Sequence, residues 1–232
     1  MGDFAIALAV FIGLHVGLSA TGLRQRLVGA IGEPIYRGGF ALASAGVLVW
    51  MVMAYGEARL DLANSLLYAP PSWARHITHS LMLVSFLFVV AGLLTPGPTQ
   101  AGFEGSLAKA EPATGILRVT RHPFLWGVAI WGLAHLISNG DRAGVMLFGG
   151  LGLMVLFGTR SIDRKGVARD RERWAAFAAV TSNIPFAAIV QGRNRLVFAE
   201  MWWRLLVALL AFAAVGYFHA TLFGVAAFTI TS

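Results

Sequence analysis

The 232-residue sequence contains no cysteine. That excludes disulfides, thiolate metal sites and c-type haem attachment. Charge is scarce as well: Asp, Glu, Lys and Arg make up 12% of the chain, against about 25% in an ordinary soluble domain. With 57% of residues apolar, 18 basic and 11 acidic side chains are too few to cover a water-soluble globule of this size. The same numbers exclude a disordered chain. Acidic residues are the scarcer sign, leaving a net charge of +7. In so apolar a chain a basic excess points to cytoplasmic loops beside anionic lipid rather than to nucleic acid.

What the sequence has instead is long apolar runs. A transmembrane helix needs about 20 mostly apolar residues. Six segments qualify: Phe4–Thr21, Gly38–Tyr55, Trp73–Leu94, Ile116–Ile137, Ala143–Gly158 and Phe198–Phe218, followed by an apolar tail to Ser232. The expected fold is all-α, a polytopic bundle of about six spans forming one integral membrane domain over residues 1–232. The first run lacks the basic leader of a signal peptide and carries a central histidine. Fifteen of the 18 basic residues fall in one alternate set of connections, and three (Arg59, Arg75 and Arg142) in the other. The positive-inside rule then places both termini outside.

The last cytoplasmic connection covers residues 163–197. Asp163–Arg173 is dense in charge, and Trp174, Phe177 and Val180 recur at helical spacing. This predicts an amphipathic helix on the inner membrane surface, its basic side toward lipid headgroups. The cluster is short, lies between two spans and mixes Asp163, Asp170 and Glu172 with its arginines, which argues against a nucleic-acid partner.

With no cysteine and few carboxylates in the spans, histidine is the informative residue, because an ionisable group inside a span is costly. His15 lies about halfway along the first span, among Gly13, Gly17 and Ser19. His135 lies in the fourth, one turn after Trp131 and one turn before Ser138 and Asn139. Two neutral imidazoles on different helices, with apolar walls and no thiolate, suit axial ligation of a haem iron. Each imidazole would equally suit a hydrogen bond to a carbonyl or hydroxyl on a neighbouring helix. His122 is 13 residues before His135, a net rotation of about 220°, so those two cannot share one ion. His76 and His79 share a helix face near the outer interface, as a metal pair or as wetted anchors. His219, beside Tyr217 and Phe218, reads as part of an aromatic belt.

The string from Gly115 to Gly127 contains Arg118, Arg121, His122, Pro123 and Trp126. Pro123 fits the first turn of a helix, where its missing N–H costs nothing. Arg118, Arg121 and His122 then gather at the positive end of the helix dipole. That makes either an anion site, for a carboxylate, phosphate or haem propionate, or a basic interfacial anchor.

These strings resemble a known family. Gly13-Leu-His15-x-x-Leu-Ser19, Gly32-Glu33-x-x-Tyr36-Arg37, Tyr68-x-x-Pro71-x-Trp73, Arg121-His122-Pro123-x-x-Trp126-Gly127 and Trp131-x-x-Ala134-His135-Leu-x-x-Asn139-Gly-Asp141 occur in order. Together they are similar to the NnrU family of bacterial membrane proteins, related to the 15-cis-zeta-carotene isomerases of plants and cyanobacteria. The resemblance implies a haem b protein of the bacterial inner membrane, with His15 and His135 as axial ligands and catalytic residues. Arg118, Arg121, His122, Trp131 and Asn139 complete the candidate cofactor-binding set. It implies either haem-dependent cis–trans isomerisation of an apolar, lipid-like polyene or a role in nitric oxide metabolism and denitrification, and a need for an electron donor. A non-catalytic haem or nitric oxide sensor, or an assembly factor, would use the same ligands. Arg121-His122-Pro123 with Trp174, Phe177, Thr181 and Pro185 is also similar to isoprenylcysteine carboxyl methyltransferases. That likeness implies S-adenosylmethionine, although the usual tandem glutamates and tyrosines are replaced here.

Overall fold

The computed structural model describes residues 1–18 and 21–227, and among them the chain is helical with no β-sheet. Ser19, expected beside His15, and the tail beyond Ala227 lie outside the described residues. Helix α1 (Gly2–Gly13) runs into a π-helical turn at Leu14–Leu18 and is followed by α2 (Leu23–Ile31). Then come α3 (Glu33–Ala58), α4 (Ala74–Leu93), α5 (Pro123–Ser138), α6 (Arg142–Arg169), α7 (Arg171–Val180), α8 (Ala187–Val190) and α9 (Trp202–Phe223).

Four of these helices, α3, α4, α6 and α9, are long and apolar enough to cross a membrane. A fifth span results if α1 and α2, with their continuation bent by 77°, count as one. The expected fourth span, Ile116–Ile137, begins later than its apolar run. Residues Gly115–Arg118 form a 3-10 turn and α5 starts at Pro123, leaving an apolar helix of 16 residues. Proline disfavours helical backbone at the residue before it, so the helix cannot extend back through His122. In the other direction α6 runs past Gly158 to Arg169, because Arg and Lys are good helix formers.

The chain divides into two compact units: Met1–Thr78 with Gly132–Gly158, and His79–Trp131 with Thr159–Ser232. In the first, α1 buries Phe4, Ala7, Leu8 and Phe11, and α3 buries Met51, Ala54 and Ala58. The two helices are antiparallel: Phe4 meets Tyr55 at 5.4 Å between ring centroids, while His15 meets Phe40 at 5.5 Å. Tyr55 also stands edge-on to Phe148 of α6, at 6.1 Å. In the second unit, Phe88 and Ala91 of α4 pack with Ile116, Val119 and Met201.

Small residues let α4 and α5 approach closely within that unit. A Cβ on Gly127 would lie 2.7 Å from the Val89 amide nitrogen and 3.0 Å from the Ser85 carbonyl oxygen. The Ser85 hydroxyl fills the remaining polar gap, donating to the Gly127 carbonyl at 2.8 Å. Such contacts are the usual means of helix association where lipid, not water, surrounds the bundle.

Gly127→Leu should therefore destabilise the protein by about 1–3 kcal/mol, the range for overpacking a tight contact. Gly46→Ala, on α3 with nothing within 4 Å of the new Cβ, should instead stabilise by about 0.5–1 kcal/mol. Denaturant unfolding in a mild detergent compares the two.

Candidate functional site

In the first unit the π turn carries His15. Such a turn breaks α-helical register and re-aims the residues it holds. His15 Nδ1 is 2.8 Å from the carbonyl oxygen of Phe11. A carbonyl only accepts, so Nδ1 carries a proton, as it does in an imidazole that binds a metal through Nε2. The ring lies 4.3 Å from Phe11, and among the described residues nothing beyond the local backbone lies within 4 Å of where a Cβ on Gly13 or Gly17 would stand. The backbone beside His15 is thus open to a flat neighbour.

His135 is half-buried on α5, stacked on Phe148 with ring centroids 4.5 Å apart and an interplanar angle of 23°. Gly132, one turn earlier, lets α5 lie on the Phe148 carbonyl. Gly150 of α6 faces Leu8 and Ile12 of α1. This puts Phe148, and the imidazole on it, near the level of Leu8. His15 is seven residues further along α1, about 10 Å of rise, and its ring leans back toward Phe11.

The last turn of α5 would leave unpaired carbonyls in an apolar setting. Side chains take them up. Thr78 donates to Ala134 O at 3.1 Å, Asn139 Nδ2 donates to His135 O at 2.8 Å, and Tyr68 OH reaches Leu136 O and Asn139 O. Ser138 and Thr78 share a further hydroxyl contact at 2.5 Å. Leu67 N donates to Gly140 O at 2.7 Å, and Asn64 accepts from Ala143 N at the start of α6. The connection after α3 therefore grips the turn that bears His135. Two of the recognised strings, at Tyr68 and at Ala134–Asp141, are the two halves of this clamp.

The second unit holds the basic string. Arg118 places Nε and Nη2 on the two oxygens of Glu200, at 2.9 and 2.8 Å, and Nη1 on Asn194 at 3.0 Å. Glu200 also accepts the Gly115 amide at 2.6 Å, where the chain turns with φ +57°, a conformation that suits glycine. Arg121 forks onto Asp163, with Nε and Nη2 each 3.1 Å from an oxygen. His122 is 2% exposed and directs Nε2 to Asp163 Oδ1 at 2.7 Å. Its Nδ1 is buried with no hydrogen-bond partner among the described residues. Thr120 and Trp126 both donate to the Asn183 carbonyl, joining this corner to the segment after α7. Each guanidinium is thus met by a carboxylate of its own chain. Trp131 lies half-buried on α5.

Burial pushes the His122 imidazole below its ordinary 6.5, against the opposing pull of Asp163, so the ring is neutral at pH 7. The Arg118 guanidinium holds the Glu200 carboxyl below its ordinary 4.5. Asp163, Glu200 and Tyr68 were not among the candidate site residues read from the sequence. The available signals were a lone carboxylate between Arg160 and Arg164, and a glutamate two residues before Trp202-Trp203.

Among the described residues no three His, Asp or Glu side chains could hold a metal ion together. His79 Nε2 is 2.8 Å from the Ala227 carbonyl oxygen and His219 Nδ1 is 2.7 Å from that of Val225. Backbone contacts of this kind suit the anchor reading of both histidines.

The model of the family described as NnrU protein matches residues 3–227. The chain belongs to the NnrU family. This NnrU protein is also 30% identical over 187 residues to the chloroplastic 15-cis-zeta-carotene isomerase of Zea mays, covering 81% of the chain and 50% of that relative. It is 41% identical over 81 residues to the enzyme of the same name from Arabidopsis thaliana, covering 35% of the chain and 22% of the relative. The chain spans about half the length of the maize protein. No solved structure is significantly similar to it.

Two outcomes follow for the clamps. Tyr68→Phe removes a donor from the end of α5 and should cost about 1–3 kcal/mol, read by thermal unfolding. Asp163→Ala leaves Arg121 and His122 without their acceptor and should cost about 3–5 kcal/mol. The pH dependence has two windows. His122 is depressed in the fold, so the unfolded chain takes up its proton first, and stability falls as pH drops below 6.5. Glu200, also depressed, adds stability above its ordinary 4.5 that is lost as pH falls through its lower folded value. Unfolding midpoints across pH should lose the upper step in His122→Gln and the lower one in Glu200→Gln.

Proposed function

We propose that this NnrU protein is a haem b protein that catalyses cis–trans isomerisation of an apolar polyene within the membrane. The observation that supports the reading is the Nδ1 of His15 on the Phe11 carbonyl, an arrangement that suits ligation through Nε2. His135 in the same unit would be the second residue to hold the haem. Two imidazoles from separate segments, with no cluster of three His, Asp or Glu among the described residues, suit a planar macrocycle better than a bare ion, which usually takes four ligands. The isomerase names of the maize and Arabidopsis relatives support the polyene as substrate.

When bound, the haem would supply redox-dependent coordination chemistry toward a double bond or nitric oxide. The chain's own residues have simpler tasks. Phe11 O sets the His15 tautomer, and the Tyr68–Asn139–Thr78 clamp holds the turn that aims His135. Phe148 backs the His135 ring and keeps water from it. Arg118 and Arg121, already neutralised by Glu200 and Asp163, and the neutral His122 hold the cytoplasmic mouth of the protein together at headgroup level.

The topology belongs to the same proposal: six spans in a bacterial inner membrane, both termini periplasmic, with α1 and α5 as the two short spans. The 15-to-3 division of basic residues supports it. So does the amino terminus, whose ammonium is 2.6 Å from Asp61 in the connection after α3, on the sparsely basic side.

Visible spectroscopy of the purified protein tests the proposal. A Soret band is expected, with a low-spin spectrum that changes in both His15→Ala and His135→Ala. The reduced protein should convert a cis-polyene to its trans isomer. Absence of a Soret band after haem supplementation overturns the haem reading, and binding of labelled S-adenosylmethionine would then favour a methyltransferase-like protein. Haem without isomerisation, but with nitric oxide bound to the reduced form, would make it a sensor or a component of nitric oxide metabolism.

A further inference from the structure

The connection between α6 and α9 has two parts, and they differ in what they show to the outside. Helix α7 was expected to lie on the membrane through Trp174, Phe177 and Val180. In the fold Trp174 is 4% and Phe177 1% exposed, packed with Leu107 and Ala113. Gly166 makes room for the indole, since any Cβ there would collide with the Trp174 ring. What α7 leaves outside is Arg171, Glu172, Arg173, small alanines and, at its last position, Val180 at 39% exposure. Such a face has charge but little apolar surface to insert into lipid.

The residues after α7 show the reverse pattern. Val190 is 85% exposed, Phe198 68% and Ile184 64%, with Phe186 and Leu196 also exposed. Large apolar side chains concentrated in this way mark an interaction surface. The face continues into Trp202 and Trp203 and along α9, a helix apolar enough to span a membrane and mostly exposed. Tryptophans at the head of a span mark the level of the lipid headgroups. Arg195 is exposed beside Leu196, where its stem can lie along apolar surface with its charge at the phosphates.

The backbone of the segment is prepared for a setting without water. Phe186 N donates to Val119 O at 2.8 Å, and Val190, Gln191 and Gly192 donate to carbonyls of the preceding turn. Arg193 N and Asn194 N both reach Ala188 O, and Arg195 N reaches the Asn194 side chain. Backbone at membrane depth must find its partners inside the protein, and these amides between Phe186 and Arg195 do. Phe186 adopts φ 64°, a left-handed conformation unusual for an aromatic residue, and its ring is exposed. The Arg193 guanidinium turns inward to cap α7, on Ala179 O at 2.7 Å and Thr181 O at 2.9 Å.

We propose that residues 184–198 form a membrane-inserted paddle, seated in the cytoplasmic leaflet at headgroup and upper acyl depth, and that α7 stands clear of the bilayer in water. The occupant of the apolar face is anionic phospholipid.

The absence of cysteine makes the test direct. Val190→Cys, Phe198→Cys and Ala176→Cys, all at exposed positions, are each labelled with an environment-sensitive fluorophore. The full chain is placed in nanodiscs containing phosphatidylglycerol. Labels at 190 and 198 should emit to the blue, be quenched by lipids brominated in the upper acyl chain and lose quenching by iodide. The label at 176 should be quenched by iodide and not by brominated lipid. The proposal is overturned if iodide quenches positions 190 and 198 as it does 176, or if brominated lipid reaches 176 and not 190. Protection of position 190 from both quenchers also overturns it, and assigns the face to a protein partner or a second copy.

Discussion

A polar group taken out of water must find its partner inside the chain, and that constraint shapes every feature around helix α5. At its start, Asp163 accepts from both Arg121 and His122. At its end, Thr78, Asn139 and Tyr68 take up the carbonyls of the last turn. Removing one partner from such a set costs more than the set contributes as a whole, because the remaining groups are left desolvated and unpaired. The protein has few charges, and in these clusters they are paired.

This arrangement divides the work along one short helix. The segment before its first turn serves cohesion: a neutral, buried imidazole, two cations and two carboxylates tie residues 115–122 to Asp163, to the residues after α7 and to Glu200. Its last turn serves orientation: Thr78 of α4 and the connection after α3 fasten the backbone on the two sides of His135. On the haem proposal, that orientation would aim His135 at the cofactor. His15 is set by another route, a π turn with the Phe11 carbonyl as an acceptor.

Much of this was legible in the sequence. Helical class, the apolar runs, the sidedness of charge and the candidacy of His15, His135, Arg118, Arg121 and His122 follow from periodicity and from the cost of burying ionisable groups. Less legible were the partners. Asp163 and Glu200 lie 42 and 82 residues from the arginines they meet, and Tyr68 lies 68 residues from Leu136. Hydropathy also misplaced two helix limits, since it registers apolar content and not the backbone restriction before Pro123 or the helix propensity of Arg164 and Lys165.

The sequence by itself determined that this chain is an all-helical membrane protein with histidine, not cysteine, as its candidate ligand, because composition decides which solvent a chain can face. It also determined the NnrU resemblance, because the order of several motifs needs no coordinates. Only the tertiary structure decided which carboxylate neutralises which cation and which nitrogen of His15 holds the proton. It also decided that Trp174 and Phe177 turn inward while Ile184, Phe186, Val190, Leu196 and Phe198 turn outward. The physical reason is the same in each case. Periodicity along one helix says that a face is apolar, but whether protein or lipid covers that face depends on contacts between residues far apart in the chain.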